Sequence, residues 1–198
     1  MGIIEGGIII EDGIPRPVDP FGKVRRVTTT STIAAAITAA SAGDVLYIEP
    51  GAYNETVTVN KRLTLVGIGG RGAAYIEPTT AGAEGMQVTA SDVTLINLGV
   101  AGDDTSDYAL NVKGNAAAKN GKRFRAYGCK FEKGDGAGAV VLLDGDANYN
   151  ASDALFEDCE FAWGASGILF DDSAYGYPTQ IRLRRCWFHN LSVVHVGL

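Results

Sequence analysis

Phe124-Arg-Ala-Tyr-Gly-Cys-Lys-Phe131 is the stretch that decides the fold, because three further segments repeat its pattern. They are Val93-Thr-Leu-Ile-Asn-Leu-Gly-Val100, Ala154-Leu-Phe-Glu-Asp-Cys-Glu-Phe161 and Ile181-Arg-Leu-Arg-Arg-Cys-Trp-Phe188. Apolar and polar residues alternate within each segment, as in a β-strand with one buried face. A strand that recurs about every 30 residues predicts a solenoid in which each coil covers the core of its neighbour.

Two columns of apolar residues run through these segments. One column reads Leu98, Cys129, Cys159 and Cys186, and the next reads Val100, Phe131, Phe161 and Phe188. All three cysteines fall in the first column, where they are expected to pack as small apolar groups. A disulfide would require two stacked coils to match the bridge geometry, and a zinc site would require paired Cys or His spacings that the sequence lacks. The column therefore favours core packing.

The composition is that of one globular domain. The chain has 198 residues, of which 46% are hydrophobic and 20% are charged. Its formal charge of −6 argues against a nucleic-acid partner, which binds a basic patch. The sequence has no run of about 18 apolar residues, so it predicts no membrane span. The first residues lack a basic region followed by an apolar core, so no secretory signal peptide is predicted.

Residues 1–27 are predicted to be an extended docking arm outside the solenoid. They contain short apolar pieces separated by glycines, and their prolines disfavour regular secondary structure. Isoleucines with few internal partners favour contact with another surface over a free tail. The residues predicted to bind that partner are Ile8, Ile9, Pro15, Arg16, Pro17, Phe21, Arg25 and Arg26. Alternatively, the basic residues of this segment form a solvated face.

Residues 28–198 are predicted to form the solenoid domain, with a capping helix over residues 28–43. Thr30, Ser31 or Thr32 offers an N-cap hydroxyl, and the following residues 33–40 have high helix propensity. Three strand-length runs then lie between turn residues, at 44–53, 55–61 and 63–68. A short helix with a narrow apolar stripe is expected to cover the open end of the first coil.

The same region resembles a known family. Its pieces are Thr-Ile-Ala-Ala-Ala-Ile-Thr-Ala-Ala (32–40), Gly-Asp-Val (43–45), Pro-Gly-Ala-Tyr-Asn-Glu (50–55) and Leu-Thr-Leu-Val-Gly (63–67). Together they look like the N-terminal start of the pectin-lyase-like right-handed parallel β-helix proteins. That superfamily includes pectate and pectin lyases, pectin methylesterases, polygalacturonases and many phage tailspikes. The resemblance implies an all-β fold, a short right-handed parallel β-helix with an N-terminal capping helix.

A second strand can be aligned in the later coils, which gives about five coils in total. Its paired inward positions are Met86/Val88, Leu110/Val112, Val141/Leu143, Ile168/Phe170 and Val194/Val196. The last pair belongs to a strand without a polar cover, and such a solenoid end exposes unpaired backbone and apolar surface. We therefore expect Val194, Val196 and Leu198 to contact a partner or further copies of the chain, as in a homotrimer.

Asp144, Asp171 and Asp172 are the candidate catalytic residues, because they follow the second strands of successive coils. Paired carboxylates can perform acid–base chemistry on a sugar. Aspartates at strand ends are also ordinary turn formers, and the sequence favours that interpretation.

Asp144, Asp146 and Asn148 are the candidate metal ligands, because they offer oxygens at the spacing that begins a Ca²⁺-binding loop. Tyr149 and Leu155 replace the glycine and the glutamate that such a loop requires. The sequence therefore favours a polar turn, and no cofactor is predicted.

The favoured hypothesis is a non-enzymatic structural protein of a virus particle. It rests on the short solenoid, the docking arm, the uncovered last coil, and the lack of a predicted signal peptide and of an intact enzyme motif. The role would be that of a bacteriophage capsid decoration (cement) protein or a tail spike or fibre component. Its partners would be further copies of the chain and virion proteins such as the major capsid protein. Such a protein is made in the host cytoplasm and ends in the virion.

The alternative hypothesis is a polysaccharide lyase or hydrolase, or a non-catalytic carbohydrate-binding module. The motifs of polygalacturonases and pectin methylesterases and the lyase arginine are not recognisable in the sequence, which weakens the enzymatic form. A binding module would use aromatic side chains near turns, namely Tyr108, Tyr149, Trp163, Tyr175 and Tyr177. Fold resemblance alone cannot choose between these functions.

Overall fold

The structure is a computed structural model of the chain. It describes residues 4–5, 8–11, 14–17, 22–103, 108–113, 121–133, 138–146, 149–170 and 178–192. Before residue 22, and at 145–146 and 149–150, it describes the backbone alone. Some of the predicted partner contacts are therefore described only as backbone: Ile8, Ile9, Pro15, Arg16 and Pro17. Others lie outside the described residues: Phe21, Val194, Val196 and Leu198.

Three short strands near the N-terminus form an antiparallel sheet. They are β1 (Ile4–Glu5), β2 (Ile8–Glu11) and β3 (Ile14–Pro17), paired in the order β1-β2-β3. This sheet differs from the irregular extended arm expected from the prolines. Pro15 and Pro17 are accommodated because β3 is an edge strand, where a missing N–H does not interrupt a central ladder.

The remaining chain is almost entirely β-structure, with a single short helix in the described part. In chain order its elements are β4 (Val24–Val27), α1 (Ile33–Ala39), β5 (Val45–Ile48), β6 (Gly51–Asn54), β7 (Val57–Val59), β8 (Thr64–Gly67), β9 (Ala74–Glu77), β10 (Met86–Val88), β11 (Thr94–Ile96) and β12 (Leu98–Gly102). There follow β13 (Leu110–Val112), β14 (Arg125–Tyr127), β15 (Lys130–Lys133), β16 (Ala139–Leu143), β17 (Gly145–Asp146), β18 (Tyr149–Asn150), β19 (Leu155–Glu157), β20 (Glu160–Gly164), β21 (Ser166–Phe170), β22 (Arg182–Arg184) and β23 (Trp187–Leu191).

Three parallel sheets wrap around one core, which confirms the predicted β-helix. The seven-stranded sheet has the order β22-β19-β14-β11-β8-β5-β4, and the six-stranded sheet has the order β23-β20-β15-β12-β9-β6. The five-stranded sheet has the order β21-β16-β13-β10-β7. Within the described ranges, five coils contribute one strand to each sheet, from β5-β6-β7 to β19-β20-β21. The antiparallel pair β17-β18 lies in the connection between β16 and β19.

The strand register confirms the predicted columns. Val100 pairs with Phe131, Phe131 with Phe161, and Phe161 with Phe188 across successive strands of the six-stranded sheet. In the five-stranded sheet the aligned positions of the second strand pair in the same way, as Met86, Leu110, Val141 and Ile168. Each coil therefore buries its apolar side chains directly above those of the coil before it.

Strand β4 lies in the seven-stranded sheet, so the paired strands of the solenoid begin inside the segment expected to be an arm. Val24 pairs with Val45 in parallel register. Arg25 Nε lies 2.9 Å from Asp44 Oδ2, and Arg26 Nε lies 2.5 Å from Glu49 Oε1. These ion pairs account for two of the basic residues within the chain, and a partner role for them stays a prediction.

Asp44 joins β4 to the first coil from a buried position. Only 2% of its surface is exposed, and its carboxylate accepts hydrogen bonds from Lys23 N at 2.8 Å, Ser41 N at 3.0 Å and Arg25 Nε at 2.9 Å. Burial opposes ionisation, but the backbone hydrogen bonds and the guanidinium outweigh it and lower the pKa of Asp44. The charged carboxylate is thus the form that the fold requires.

Charged side chains of the first coil hold both ends of α1. The N-cap Thr32 Oγ1 accepts from Ala35 N at 3.1 Å, and the Glu55 carboxylate accepts from the first two amides of the helix at 2.7 and 3.0 Å. At the other end, Lys61 Nζ donates to three carbonyl oxygens at 2.9 Å each. A negative charge at the N-terminus and a positive charge at the C-terminus both favour a helix.

The helix covers the first coil through Ile33 and Ile37, both of which are buried. It runs from Ile33 to Ala39, so it is shorter at both ends than the predicted range 28–43. No helix in the described ranges is long and apolar enough to span a membrane.

The phenylalanine column fills the later coils of the core. The rings of Phe161 and Phe188 are stacked, with centroids 4.6 Å apart and 7° between their planes. Phe161 also lies 5.6 Å from Phe131 and 5.5 Å from Phe156, centroid to centroid. Because Phe161 has no exposed surface and three aromatic neighbours, it is the centre of this part of the core.

We expect Phe161→Ala to lower the free energy of unfolding by about 3–5 kcal/mol, because it removes buried surface and leaves a cavity. Reversible urea unfolding followed by circular dichroism measures the change. Leu169→Ala is the matched control, since Leu169 is 36% exposed on the outer face of β21 and should cost less than about 1 kcal/mol. A cost below about 1 kcal/mol for Phe161→Ala would contradict its central role.

The cysteines are free thiols stacked in the column that the sequence predicts. Cys129 and Cys159 are buried, and Cys186 is half-buried. The thiol of Cys159 donates to Ala126 O at 3.5 Å, and that of Cys186 donates to Phe156 O at 3.4 Å. The hydrogen bond with Cys129, together with burial, raises the pKa of Cys159, and burial raises that of Cys186.

We expect native protein to react slowly with a thiol reagent such as DTNB, because burial keeps the reagent from Cys129 and Cys159, and the raised pKa of Cys159 and Cys186 suppresses their thiolates. Cys186 should react before the other two, since it is half-buried, and urea should release all three. Peptide mass mapping of the labelled protein identifies the order. Fast labelling of all three thiols in the native state would contradict the buried column.

We expect Asp44→Asn to lower the free energy of unfolding at pH 7 by about 2–3 kcal/mol, because charged hydrogen bonds are lost in a buried site. In the parent protein, the contribution of Asp44 is present above the unfolded-state pKa of about 4 and is lost as the pH falls through the lowered folded-state pKa. Stability curves from pH 7 to pH 2 should therefore converge for parent and variant at low pH.

Asp92→Asn is the control for this experiment, because Asp92 also pairs with an arginine but its side chain is 40% exposed. We expect it to cost no more than about 1 kcal/mol. Equal effects of the two substitutions would show that the buried site has no special role.

Candidate functional site

The candidate catalytic residue Asp144 lies directly after β16, the second strand of its coil, as the sequence predicts. Its N–H donates to Val112 O at 2.9 Å, which places Asp144 beside Lys113 of the neighbouring coil. Its side chain is half-buried. Asp171 and Asp172, the other members of the predicted acid–base set, lie outside the described residues, so that set stays a prediction.

The predicted Ca²⁺ ligands are only partly described. Asp146 is described as backbone in β17, and Asn148 lies outside the described residues. In the part of the chain with described side chains, no three His, Cys, Asp or Glu residues are grouped to hold a metal ion.

Two of the aromatic residues predicted for sugar binding have described side chains. Trp163 is 47% exposed at the end of β20, and Tyr108 is half-buried. Tyr149 is described as backbone, and Tyr175 and Tyr177 lie outside the described residues.

The outer face of the six-stranded sheet carries another set of side chains, which form hydrogen bonds, ion pairs and an aromatic contact with one another. The inward phenylalanine column forces the residue before each phenylalanine to point outward. These residues are Lys130, Glu160 and Trp187, in register on β15, β20 and β23, while Glu132 and His189 lie in the next outward column. We name the following set the outer-face cluster: Arg71, Tyr75, Lys130, Glu132, Glu160, Trp187 and His189.

Tyr75 crosses the neighbouring strand β12 to reach Glu132. Its ring lies on Gly99, where a Cβ atom would come within 2.5 Å of Tyr75 Cδ2. The Tyr75 hydroxyl donates a hydrogen bond to Glu132 Oε1, and Lys130 Nζ lies 2.5 Å from Glu132 Oε2. Burial and the hydrogen bond to Glu132 raise the pKa of the Tyr75 phenol, so that it remains a donor.

Glu160 organises the other half of the outer-face cluster. His189 Nε2 lies 3.1 Å from Glu160 Oε1, and Arg71 Nη1 lies 3.5 Å from Glu160 Oε2. The Trp187 indole stacks on the His189 ring, with centroids 4.1 Å apart and 29° between the planes. Because Glu160 holds the imidazole and the imidazole supports the indole, an aromatic ring that is 58% exposed is fixed in orientation.

Ion pairs at a coil corner hold one edge of the outer-face cluster. Arg71 Nη2 donates to Asp158 O at 2.7 Å, and the Asp158 carboxylate accepts two hydrogen bonds from Arg185 at 2.7 and 2.8 Å. These hydrogen bonds lower the pKa of Asp158. Asp158 and Arg185 have φ angles of 55° and 49°, a left-handed conformation that costs energy for residues with a Cβ. The bidentate pair offsets part of that cost.

The outer-face cluster combines an exposed aromatic ring with hydrogen-bonding groups of both kinds on one flat face. Glu132 and Glu160 are acceptors, whereas Arg71, Lys130 and Tyr75 are donors. A ligand with hydroxyl groups and an apolar face would find partners for both.

The repeated segments of the sequence already indicate part of this site. The segments Cys-Lys-Phe, Cys-Glu-Phe and Cys-Trp-Phe place Lys130, Glu160 and Trp187 at one outward position. No sequence signal links Tyr75 or Arg71 to them, because those residues lie 55 and more positions away and meet the set only through coil stacking.

Comparisons with known proteins concern the fold. Neither a protein-family model nor a curated protein matches the chain. Among solved structures, the pectin methylesterase from Aspergillus niger is similar with a TM-score of 0.57 and 18% identity, over 85% of this chain and 56% of that chain. The pectin methylesterase PemA from Erwinia chrysanthemi has a TM-score of 0.44 and 19% identity, over 83% of this chain and 66% of that chain.

The likeness to the Aspergillus enzyme supports the predicted parallel β-helix fold. At 18% identity the likeness to the Aspergillus enzyme shows the fold alone, and this chain spans little more than half the length of that enzyme.

Proposed function

We propose that this protein binds polysaccharides, with the sugar chain lying along the outer-face cluster. The observation that carries the proposal is Trp187, an exposed indole fixed by His189 and Glu160 on a flat, polar sheet face. Sugars present hydroxyl groups at their edges and C–H groups on their faces. An aromatic ring beside charged donors and acceptors complements both features.

The geometry of the solenoid supports this proposal. Outward side chains on successive strands repeat about every 4.8 Å along the axis, so binding groups form a line on the sheet face. One such line holds Tyr75, Lys130, Glu160 and Trp187, while Glu132 and His189 lie in the column beside it. An extended polymer can contact several such groups at once, and a small molecule cannot.

The fold also supports a polysaccharide as the ligand. The chain shares its architecture with a pectin methylesterase, which is a carbohydrate-active enzyme. Architecture does not determine activity, so the outer-face cluster and not the likeness carries the proposal.

Glu132 and Glu160 are the carboxylates that bond cleavage at this face would use, because glycosidases employ a pair of carboxyl groups. Here each already contacts a cation, Lys130 for Glu132 and Arg71 for Glu160. We therefore assign both to hydrogen bonding with sugar hydroxyls.

The virion hypothesis stays a prediction. It concerns the predicted docking arm, residues 1–27, and the C-terminal residues Val194, Val196 and Leu198; among these, only residues 22–27 have described side chains. Its partners would be capsid or tail proteins. Copurification with a capsid or tail protein would favour it over sugar binding.

We expect the protein to be retarded in native gels that contain a polysaccharide, with polygalacturonate, methyl-esterified pectin and dextran as the three probes. Trp187→Ala should weaken the affinity about tenfold, because stacking and apolar contact with the sugar are lost. Measuring reducing ends released from the retarding polysaccharide separates binding from cleavage.

Tyr47→Ala is the matched control, since Tyr47 is 39% exposed on the outer face of the seven-stranded sheet, away from the cluster. It should bind like the parent protein. Unchanged binding by Trp187→Ala, or an equal loss in both variants, would contradict the proposed site. Absence of retardation by all three polysaccharides would contradict the proposed function.

A further inference from the structure

Glu84 and Asn111 meet beside the five-stranded sheet, away from the outer-face cluster. Glu84 lies in the connection between β9 and β10, and Asn111 lies in β13. Asn111 Nδ2 donates a hydrogen bond to Glu84 Oε1 at 2.9 Å. This contact joins the connection of one coil to the strand of the next.

The second oxygen of each side chain is buried without a hydrogen-bond partner. These atoms are Glu84 Oε2 and Asn111 Oδ1. Asn111 is only 4% exposed, so water outside the protein does not reach it freely. Buried polar atoms are nearly always paired, so two free acceptors on side chains that are hydrogen-bonded to each other mark a place where a donor or a cation would be favourable.

A partner for these two oxygens must be electron-poor, because both atoms are acceptors. Exchanging the amide nitrogen and oxygen of Asn111 would place its carbonyl oxygen against the Glu84 carboxylate, so the observed orientation is the favourable one. Within the described ranges, Glu84 has no ion pair with a lysine, arginine or histidine. Its negative charge therefore lacks a counter-charge from those residues.

The backbone around Glu84 is held firmly in place. A Cβ atom at Gly85 would come within 1.9 Å of Ala101 O, so only glycine permits this close approach of two coils. On one side Gly82 N donates to Asp103 Oδ2 at 2.8 Å, and on the other Met86 N donates to Ala109 O at 2.9 Å. The carboxylate is thus presented by a fixed connection.

We infer that Glu84 and Asn111 form a binding site for a hard cation of the Ca²⁺ or Mg²⁺ type. A carboxylate oxygen and an amide carbonyl oxygen are ligands that these ions prefer, and water completes their coordination where few protein ligands are present. The cation satisfies both free oxygens and the unpaired charge together. By holding the connection before β10 against β13, it ties two coils of the solenoid to each other.

The test is the thermal stability of metal-free protein, prepared with EDTA and then dialysed. CaCl₂, MgCl₂ and KCl are titrated separately at matched ionic strength, and unfolding is followed by circular dichroism. We expect Ca²⁺ or Mg²⁺ to raise Tm in a saturable way, with no rise in KCl. Isothermal titration calorimetry with the effective ion should give a stoichiometry of about one, as expected for one pair of ligands.

Glu84→Gln is the informative variant, because it keeps the shape and removes the charge. It should fold and should lose at least about tenfold in affinity for the ion. Asn111→Asp adds a second carboxylate and should bind the ion more tightly. Glu77→Gln is the matched control, since Glu77 is an exposed carboxylate of β9, and it should respond to the ion like the parent protein.

A Tm that none of the three salts raises would overturn the inference and leave water as the partner of the two oxygens. A response that survives Glu84→Gln, or that disappears equally in Glu77→Gln, would also overturn it.

Discussion

In-register parallel pairing of one coil on the next is the constraint on which the whole molecule depends. Because each strand pairs with its counterpart one coil away, a residue type at one position is stacked on the same position of the neighbouring coil. Inward columns then become a continuous core, of which Phe131, Phe161 and Phe188 form one part. Outward columns become lines of surface groups, so packing and surface chemistry have the same origin.

The start of the solenoid is stabilised by charge as well as by apolar contact. Glu55 and Lys61, both from the first coil, bind opposite ends of the covering helix, while buried Asp44 binds β4. These residues lie in or beside the segment that resembles the pectin-lyase-like proteins. The resemblance is therefore carried by groups that close the end of a β-helix, so it predicts a fold and does not by itself predict an activity.

The solenoid carries two groups of polar side chains that differ in whether their polar atoms have partners. On the outer face of the six-stranded sheet, each charged group of the cluster contacts a partner, and the exposed Trp187 is supported from beneath. Beside the five-stranded sheet, Glu84 and Asn111 retain buried oxygens without partners. A paired, exposed surface suits a large ligand that exchanges with water, whereas unpaired buried acceptors suit a small ion that remains bound.

The sequence by itself determined the all-β solenoid, the inward columns and the position of the helix, because a period of two within strands and a recurring segment report burial directly. It also contained the outward positions of Lys130, Glu160 and Trp187. Only the tertiary structure decided that β4 joins the sheet, that Tyr75 crosses Gly99 to reach Glu132, and that Glu84 meets Asn111. Those contacts join residues of different coils, and they depend on side-chain length and on the geometry of the coil corners. Side-chain length and corner geometry do not produce a periodic pattern in the sequence.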